Sequence, residues 1–150
     1  MTASVERLLL DTSLVIELIR GKALGVAIAK RYGLDHDIPS PFISVVTLGE
    51  LRSFSRQLGW GTEKRARLDA LVRDLVVVDI GAPTIIDAFA DISTLLRTQG
   101  RVVGDNDRWI AATAKVLGAR LLTFDKDFSP LIPSEIAGDV LVASALLSES

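Results

Sequence analysis

The stretch RLLLDTSLVIELIRG, residues 7–21, sets the terms on which the rest of the chain is read. Leu8, Leu9 and Leu10 run together without alternation, as in a short strand buried on both faces. The segment SLVIELIRG then reads as a helix, closed by Gly21 as a plausible C-cap. Asp11 stands between the two. A lone buried carboxylate must be paired, hydrogen-bonded, metal-bound or neutralised by a shifted pKa, so the rest of the chain has to supply its partner.

Working outward, the same alternation of apolar run and helix recurs. A second helix is expected roughly from Leu24 to Tyr32, and HDIPSP (36–41) breaks the pattern. FISVV (42–46) reads as a second strand, followed by a helix that begins near Thr47 and ends by Gly59. A charged helix covers about Thr62 to Arg73, and LVVVDI (75–80) is the third strand. A long helix runs roughly from Pro83 to Gln99, with proline near its first turn, where the missing N–H does no harm. NDRWIAATAKVLG (106–118) is another helix and ARLLTFD (119–125) a fourth strand. GDVLVASALL (138–147) holds a last short strand or a docking segment. Strands apolar on both faces and separated by helices specify an α/β fold, a parallel sheet covered on both sides.

Bulk properties narrow the chemistry. The length of 150 residues suits one domain, 1–150, and 49% apolar with 24% charged residues is ordinary for a globular protein. A net charge of −2 gives no global attraction to nucleic acid, so any RNA or DNA binding needs a local basic patch. There is no cysteine and one histidine, His36, which excludes disulfides, thiolate chemistry and a Cys/His zinc site. A bound metal must rely on oxygen ligands, which favours Mg²⁺ or Mn²⁺. The start, MTASVERLLLD, lacks signal-peptide character, and no apolar run reaches the roughly 20 residues of a membrane span. A cytoplasmic location is expected.

Each strand delivers an acid at its end. LLLD gives Asp11, FISVVTLGE gives Glu50 on the first turn of the next helix, and LLTFD gives Asp125. In a parallel α/β sheet these ends share one edge, where ligands bind at the topological switch point. A helix packing back across the sheet starts at that edge too, which brings Asp107 there. Two like charges about 4 Å apart repel by roughly 4 kcal/mol at an effective dielectric near 20. A cluster of four must therefore raise its pKa values or bind cations, and a divalent metal is the expected partner of Asp11.

Each acid also has a structural explanation. Asp11, Thr12 or Ser13 could cap the following helix. Thr47 and Glu50 match a T-x-x-E capping box. Asp105, Asn106 and Asp107 are all credible caps, and Asp125 in FDKDF suits an Asx-turn. What these readings do not explain is why all four acids fall at one sheet edge.

LLLDTSLVIEL, ISVVTLGELR and NDRWIAATAKVLGARLLTFDKDF, with the spacing between them, resemble the PIN-domain ribonucleases, specifically the VapC-type toxins of bacterial toxin–antitoxin systems. The similarity covers about Leu8 to Ile132, and D-x-x-I-A-A-x-A followed by T-x-D-x-D-F is its most specific element. It implies a three-layer α/β/α sandwich around a mostly parallel sheet of four to five strands. It also implies a Mg²⁺-dependent endoribonuclease acting on RNA, restrained by an antitoxin protein, and a homodimer. The family's acidic site maps onto Asp11, Glu50, Asp107 and Asp125, with Thr12, Ser13 and Thr123 at nearby polar positions. In this reading Asp11 and Asp107 are the principal metal ligands. Asp105 departs from the pattern; its expected place is outside the helix, as a cap or holding an outer water.

Arg20, Lys22, Arg108, Lys64, Arg65 and Arg67 are candidate phosphate contacts, although Arg20 and Lys22 equally suit a helix C-terminus. Arg52 and Arg56 are expected to face away from Glu50, and His36 to be solvated. Trp60 and Trp109 fit a base-stacking role or the core equally well. Two other classes stay open. One is phosphotransfer through Asp11, which a haloacid-dehalogenase-like phosphatase performs with D-x-D where this chain has Ser13. The other is a non-catalytic module, either a receiver-like Mg²⁺ pocket with Asp79 as acceptor or a silent PIN-like domain.

Overall fold

The structure, a computed structural model, describes residues 6–34 and 39–149; the expectation for His36 lies outside them. The opening stretch folds as read, with β1 (Leu8–Leu10) running through Asp11 into α1 (Thr12–Arg20). Gly21 ends α1 at φ +63°, a left-handed conformation that glycine adopts without steric cost. It turns the chain directly into α2 (Ala23–Tyr32).

The chain continues through β2 (Phe42–Ser44), α3 (Val45–Gln57), α4 (Thr62–Arg73) and β3 (Val76–Val78). Next come α5 (Pro83–Thr98), α6 (Asp105–Leu117) and β4 (Arg120–Thr123). A 3₁₀ turn (Lys126–Leu131), β5 (Gly138–Val140) and α7 (Ala143–Ser148) close it, so the tail does hold a strand.

The five strands form one sheet in the order β3-β2-β1-β4-β5, with every neighbouring pair parallel. Successive side chains point to opposite faces. Leu9 and Leu121 therefore pack with α5 and α6, through Ile92, Leu96 and Ile110. Leu10, Ile43 and Leu122 face the other way, onto Leu14, Ile28, Leu51 and Leu68 of α1–α4. Helices cover both faces, which is the expected three-layer α/β/α architecture. The order reverses at β1: the chain moves outward through β2 and β3, then crosses back to place β4 on the other side. The switch point lies between the carboxyl ends of β1 and β4.

One boundary differs from the sequence reading. The third helix begins at Val45, not near Thr47, because the Ser44 hydroxyl accepts the Val46 N–H at 3.1 Å and caps it. Two valines that look like strand thus open a helix. Glu50 consequently sits on the second turn of α3, not the first, and the Thr47–Glu50 capping box does not form.

Candidate metal centre

Asp11 lies at the end of β1, 4% exposed, its N–H bonded to the Leu122 carbonyl of β4 at 3.0 Å. It occupies the N-cap position of α1, yet its carboxylate makes no capping bond. Oδ2 accepts instead from the hydroxyls of Thr123, at 2.6 Å, and Ser13, at 3.0 Å. Those hydroxyls are themselves fixed: Ser13 Oγ accepts the Phe124 N–H and Thr123 Oγ1 the Asp125 N–H. Burial pushes the Asp11 carboxyl above its ordinary value, against the hydrogen bonds from Thr123 and Ser13 that favour the ion.

Glu50 reaches the site from α3. Thr12 Oγ1 lies 2.7 Å from Glu50 Oε1 and 3.1 Å from the Oγ1 of the fully buried Thr47. A hydroxyl has one proton, so Thr12 donates to the carboxylate and accepts from Thr47. The threonine that the sequence suggested as a cap instead orients Glu50.

Asp107 is the third residue of α6. Its carboxyl is pushed up to about 7, first by burial and then by the charges of Asp11, Asp125, Glu50 and Asp127. The four acids named from sequence therefore do converge. Asp125 also makes the Asx-turn that seemed to compete with a site role: its Oδ1 accepts the Asp127 N–H at 2.9 Å, starting the 3₁₀ turn. That turn brings in a fifth acid the sequence reading missed. Carboxylate oxygens of Asp107, Asp125 and Asp127 all lie within 4.8 Å of one another. The signal was present as the second acid of FDKDF.

Among the described residues, no lysine or arginine pairs with any of the five acids; the ion pairs engage other carboxylates. An all-oxygen, repulsive donor set of this kind suits a hard divalent cation.

The sequence pattern described as PIN domain matches residues 8–131. The chain belongs to the PIN-domain family. This PIN domain is 34% identical over 95 residues to Ribonuclease VapC4 of Mycobacterium tuberculosis (strain ATCC 25618 / H37Rv), covering 63% of this chain and 73% of the relative. Its fold resembles that in VapBC2 from Rickettsia felis bound to a promoter DNA fragment, with TM-score 0.74 and 20% identity over 88% of this chain and 96% of that one. It also resembles VapBC-5 from Mycobacterium tuberculosis, a member of the VapBC family of toxin-antitoxin systems, with TM-score 0.62 and 26% identity over 90% and 97%.

One further expectation is corrected in this PIN domain, and other residues singled out from the sequence find their places. Asp105 is not outside the helix but its first residue, paired with Arg108. Arg108 is committed internally, to Ser93 Oγ at 2.6 Å and the Val103 carbonyl at 3.1 Å. Trp109 stacks on Phe89 with ring centroids 3.8 Å apart, and Trp60 is buried beneath Lys64. Arg67 reaches the Arg20 carbonyl, and Arg20 pairs with Glu17. Arg52 does turn away from Glu50, onto Asp69 of α4.

Proposed function

We propose that this PIN domain, read as one domain over residues 1–150, is a divalent-metal-dependent endoribonuclease and the toxin of a toxin–antitoxin pair. The observation that carries the reading is the convergence of five carboxylates from four separate parts of the chain with no cation of the described residues to neutralise them. The identity to a relative named a ribonuclease supports RNA as substrate, and the likeness to a VapBC member supports an antitoxin partner.

Asp11 and Asp107 would hold the metal, with Glu50 and Asp125 completing the set and Asp127 at its rim. A bound Mg²⁺ or Mn²⁺ would supply an activated water and charge stabilisation at the phosphate. The chain's own residues do the rest. Thr123 and Ser13 keep one oxygen of Asp11 engaged, so its other oxygen and direction are set. Thr12 does the same for Glu50. The burial and the repulsion that raise Asp107 favour its proton in the metal-free state, so metal binding would displace that proton.

The phosphotransfer reading gains nothing, because the Ser13 hydroxyl is spent on Asp11. The receiver reading also fails to gain: Asp79 closes a turn by accepting the Gly81 N–H at 3.2 Å. Among the described residues no helix is long and apolar enough to cross a membrane. A homodimer remains part of the proposal, checked by light scattering.

The direct test is incubation of the purified chain with labelled RNA, with Mg²⁺ and with EDTA, followed by sequencing of the new ends. Internal cuts that need the metal are expected. Equal cutting in EDTA overturns the metal role, and intact RNA in both overturns the nuclease. Copurification with the product of an adjacent small gene checks the antitoxin.

A further inference from the structure

Arg108, which follows Asp107 in the first turn of α6, lines a groove of opposite charge. It occupies about 430 Å³ between the last turns of α5, the loop 99–104 and the first turn of α6. Arg97, Arg101 and Arg108 line it. Arg108 forms a rigid positive floor, held by Ser93, the Val103 carbonyl and Asp105 and lying 4.9 Å from the Phe89 ring centre. Arg97 and Arg101 are exposed and, among the described residues, have no acidic partner. The loop itself is built to turn: Gly100 sits at φ +66°, and the Arg101 N–H bonds back to the Leu96 carbonyl at 2.9 Å. Val102 stands 92% exposed beside the two arginines.

We propose that this groove is a subsite for backbone phosphates of the RNA strand, with Arg97 and Arg101 as its contacts. The proposal rests on the ribonuclease reading and extends it. Because α6 runs back from the carboxyl edge of the sheet, its first turn presents Asp107 to the acids and Arg108 to the groove. A strand with one phosphodiester at the acids therefore has the groove immediately next to it. That strand also needs cations there. The chain carries net charge −2 and its site carries five acids, so a polyanion is held only where local positive charge outweighs their repulsion. Arginine suits the task, since its planar fork matches phosphate oxygens in pairs. Neither residue stands out in the sequence, since Arg97 falls in the last turn of α5 and Arg101 in the loop that follows. Only the fold of the loop sets them side by side.

The test measures RNA affinity by fluorescence anisotropy in an Asp107→Asn background, so that the probe stays intact. The probe is a labelled single-stranded RNA of about 20 nucleotides, longer than common single-strand footprints. Relative to that background, adding Arg97→Ala and Arg101→Ala is expected to weaken binding about tenfold. It should also lower the slope of log affinity against log salt by about 1.4, two contacts at roughly 0.7 each. The melting temperature should not move. Replacing both by lysine should restore most of the affinity, and Arg73→Ala, an exposed charge on α4, should change neither quantity.

Unchanged affinity and slope in the double alanine variant overturn the proposal. So does a variant that binds RNA normally but loses self-association or a partner protein, which makes the groove a protein interface. The unsubstituted chain is measured first. If it neither binds nor cuts RNA, the underlying reading fails and the subsite with it; if it cuts RNA and the variant binds equally well, only the subsite fails.

Discussion

Thr123 Oγ1 donates to Asp11 Oδ2 and accepts from the Asp125 N–H, so one hydroxyl ties the two central strands at the point where their acids emerge. Thr123→Val keeps the shape and removes both bonds. It is expected to lower stability by about 1–3 kcal/mol, the usual range for stranding a buried polar group. It should also weaken Mn²⁺ binding roughly 10–100-fold, as loss of an orienting partner commonly does. Urea unfolding and a Mn²⁺ titration check the two effects. Asp107→Asn is expected to abolish RNA cleavage at saturating Mg²⁺ while the metal-free protein melts no lower, because a repelling charge has gone. Asp105→Asn breaks only an exposed ion pair, changes stability by at most about 1 kcal/mol and leaves cleavage in place. Reversal of those two activities would move the ligand assignment by two residues. Asp11, Glu50, Asp107 and Asp125 were legible because each follows an apolar run or opens a patterned helix. Asp127 was not, because its approach depends on the Asx-turn at Asp125. That turn was set against a site role, and it is what carries Asp127 into the site.

Among the elements, α1 and α2 approach each other closely at Gly25. A Cβ on Gly25 would stand 2.5 Å from the Glu17 carbonyl oxygen, a backbone atom that cannot step aside. Gly25→Ala is expected to cost about 1–3 kcal/mol through overpacking. Gly49, in α3, has open space around its Cβ position, so Gly49→Ala should stabilise by up to about 1 kcal/mol through helix propensity. Opposite shifts of the urea midpoint confirm the pair; equal shifts contradict the packing described. The order of elements from β1 to β4 could be read from periodicity alone, whereas the 3₁₀ turn and α7 were not foreseen. The start of α3 could not be read: Val45 and Val46 favour strand by side-chain type, and the Ser44 cap overrides that preference with one hydrogen bond.

For the whole molecule, the acid cluster couples pH to stability. A carboxyl raised from an ordinary value of about 4 binds its proton more tightly in the fold than in the unfolded chain. Asp107, held near 7, therefore favours the metal-free fold at low pH, and that contribution is lost as pH rises toward about 7. Asp11 acts in the same direction. The melting temperature of the EDTA-treated protein should fall between about pH 5 and 7.5 relative to that of Asp107→Asn, and the gain on adding Mg²⁺ should grow over the same interval. Parallel pH profiles for the two proteins would show that Asp107 titrates normally. The strand order has a consequence in time as well as in space. Asp11 and Asp125 flank the switch point, yet they stand 114 positions apart in the chain. At about 5–20 residues per second, a ribosome takes roughly 6–23 s to travel from one codon to the other. Until β4 leaves the exit tunnel and slots beside β1, the nascent chain has no Thr123 to hold Asp11 and no second central carboxylate. A nuclease assembled in this order leaves the message and the ribosome that are making it untouched until β4 has been made and placed beside β1.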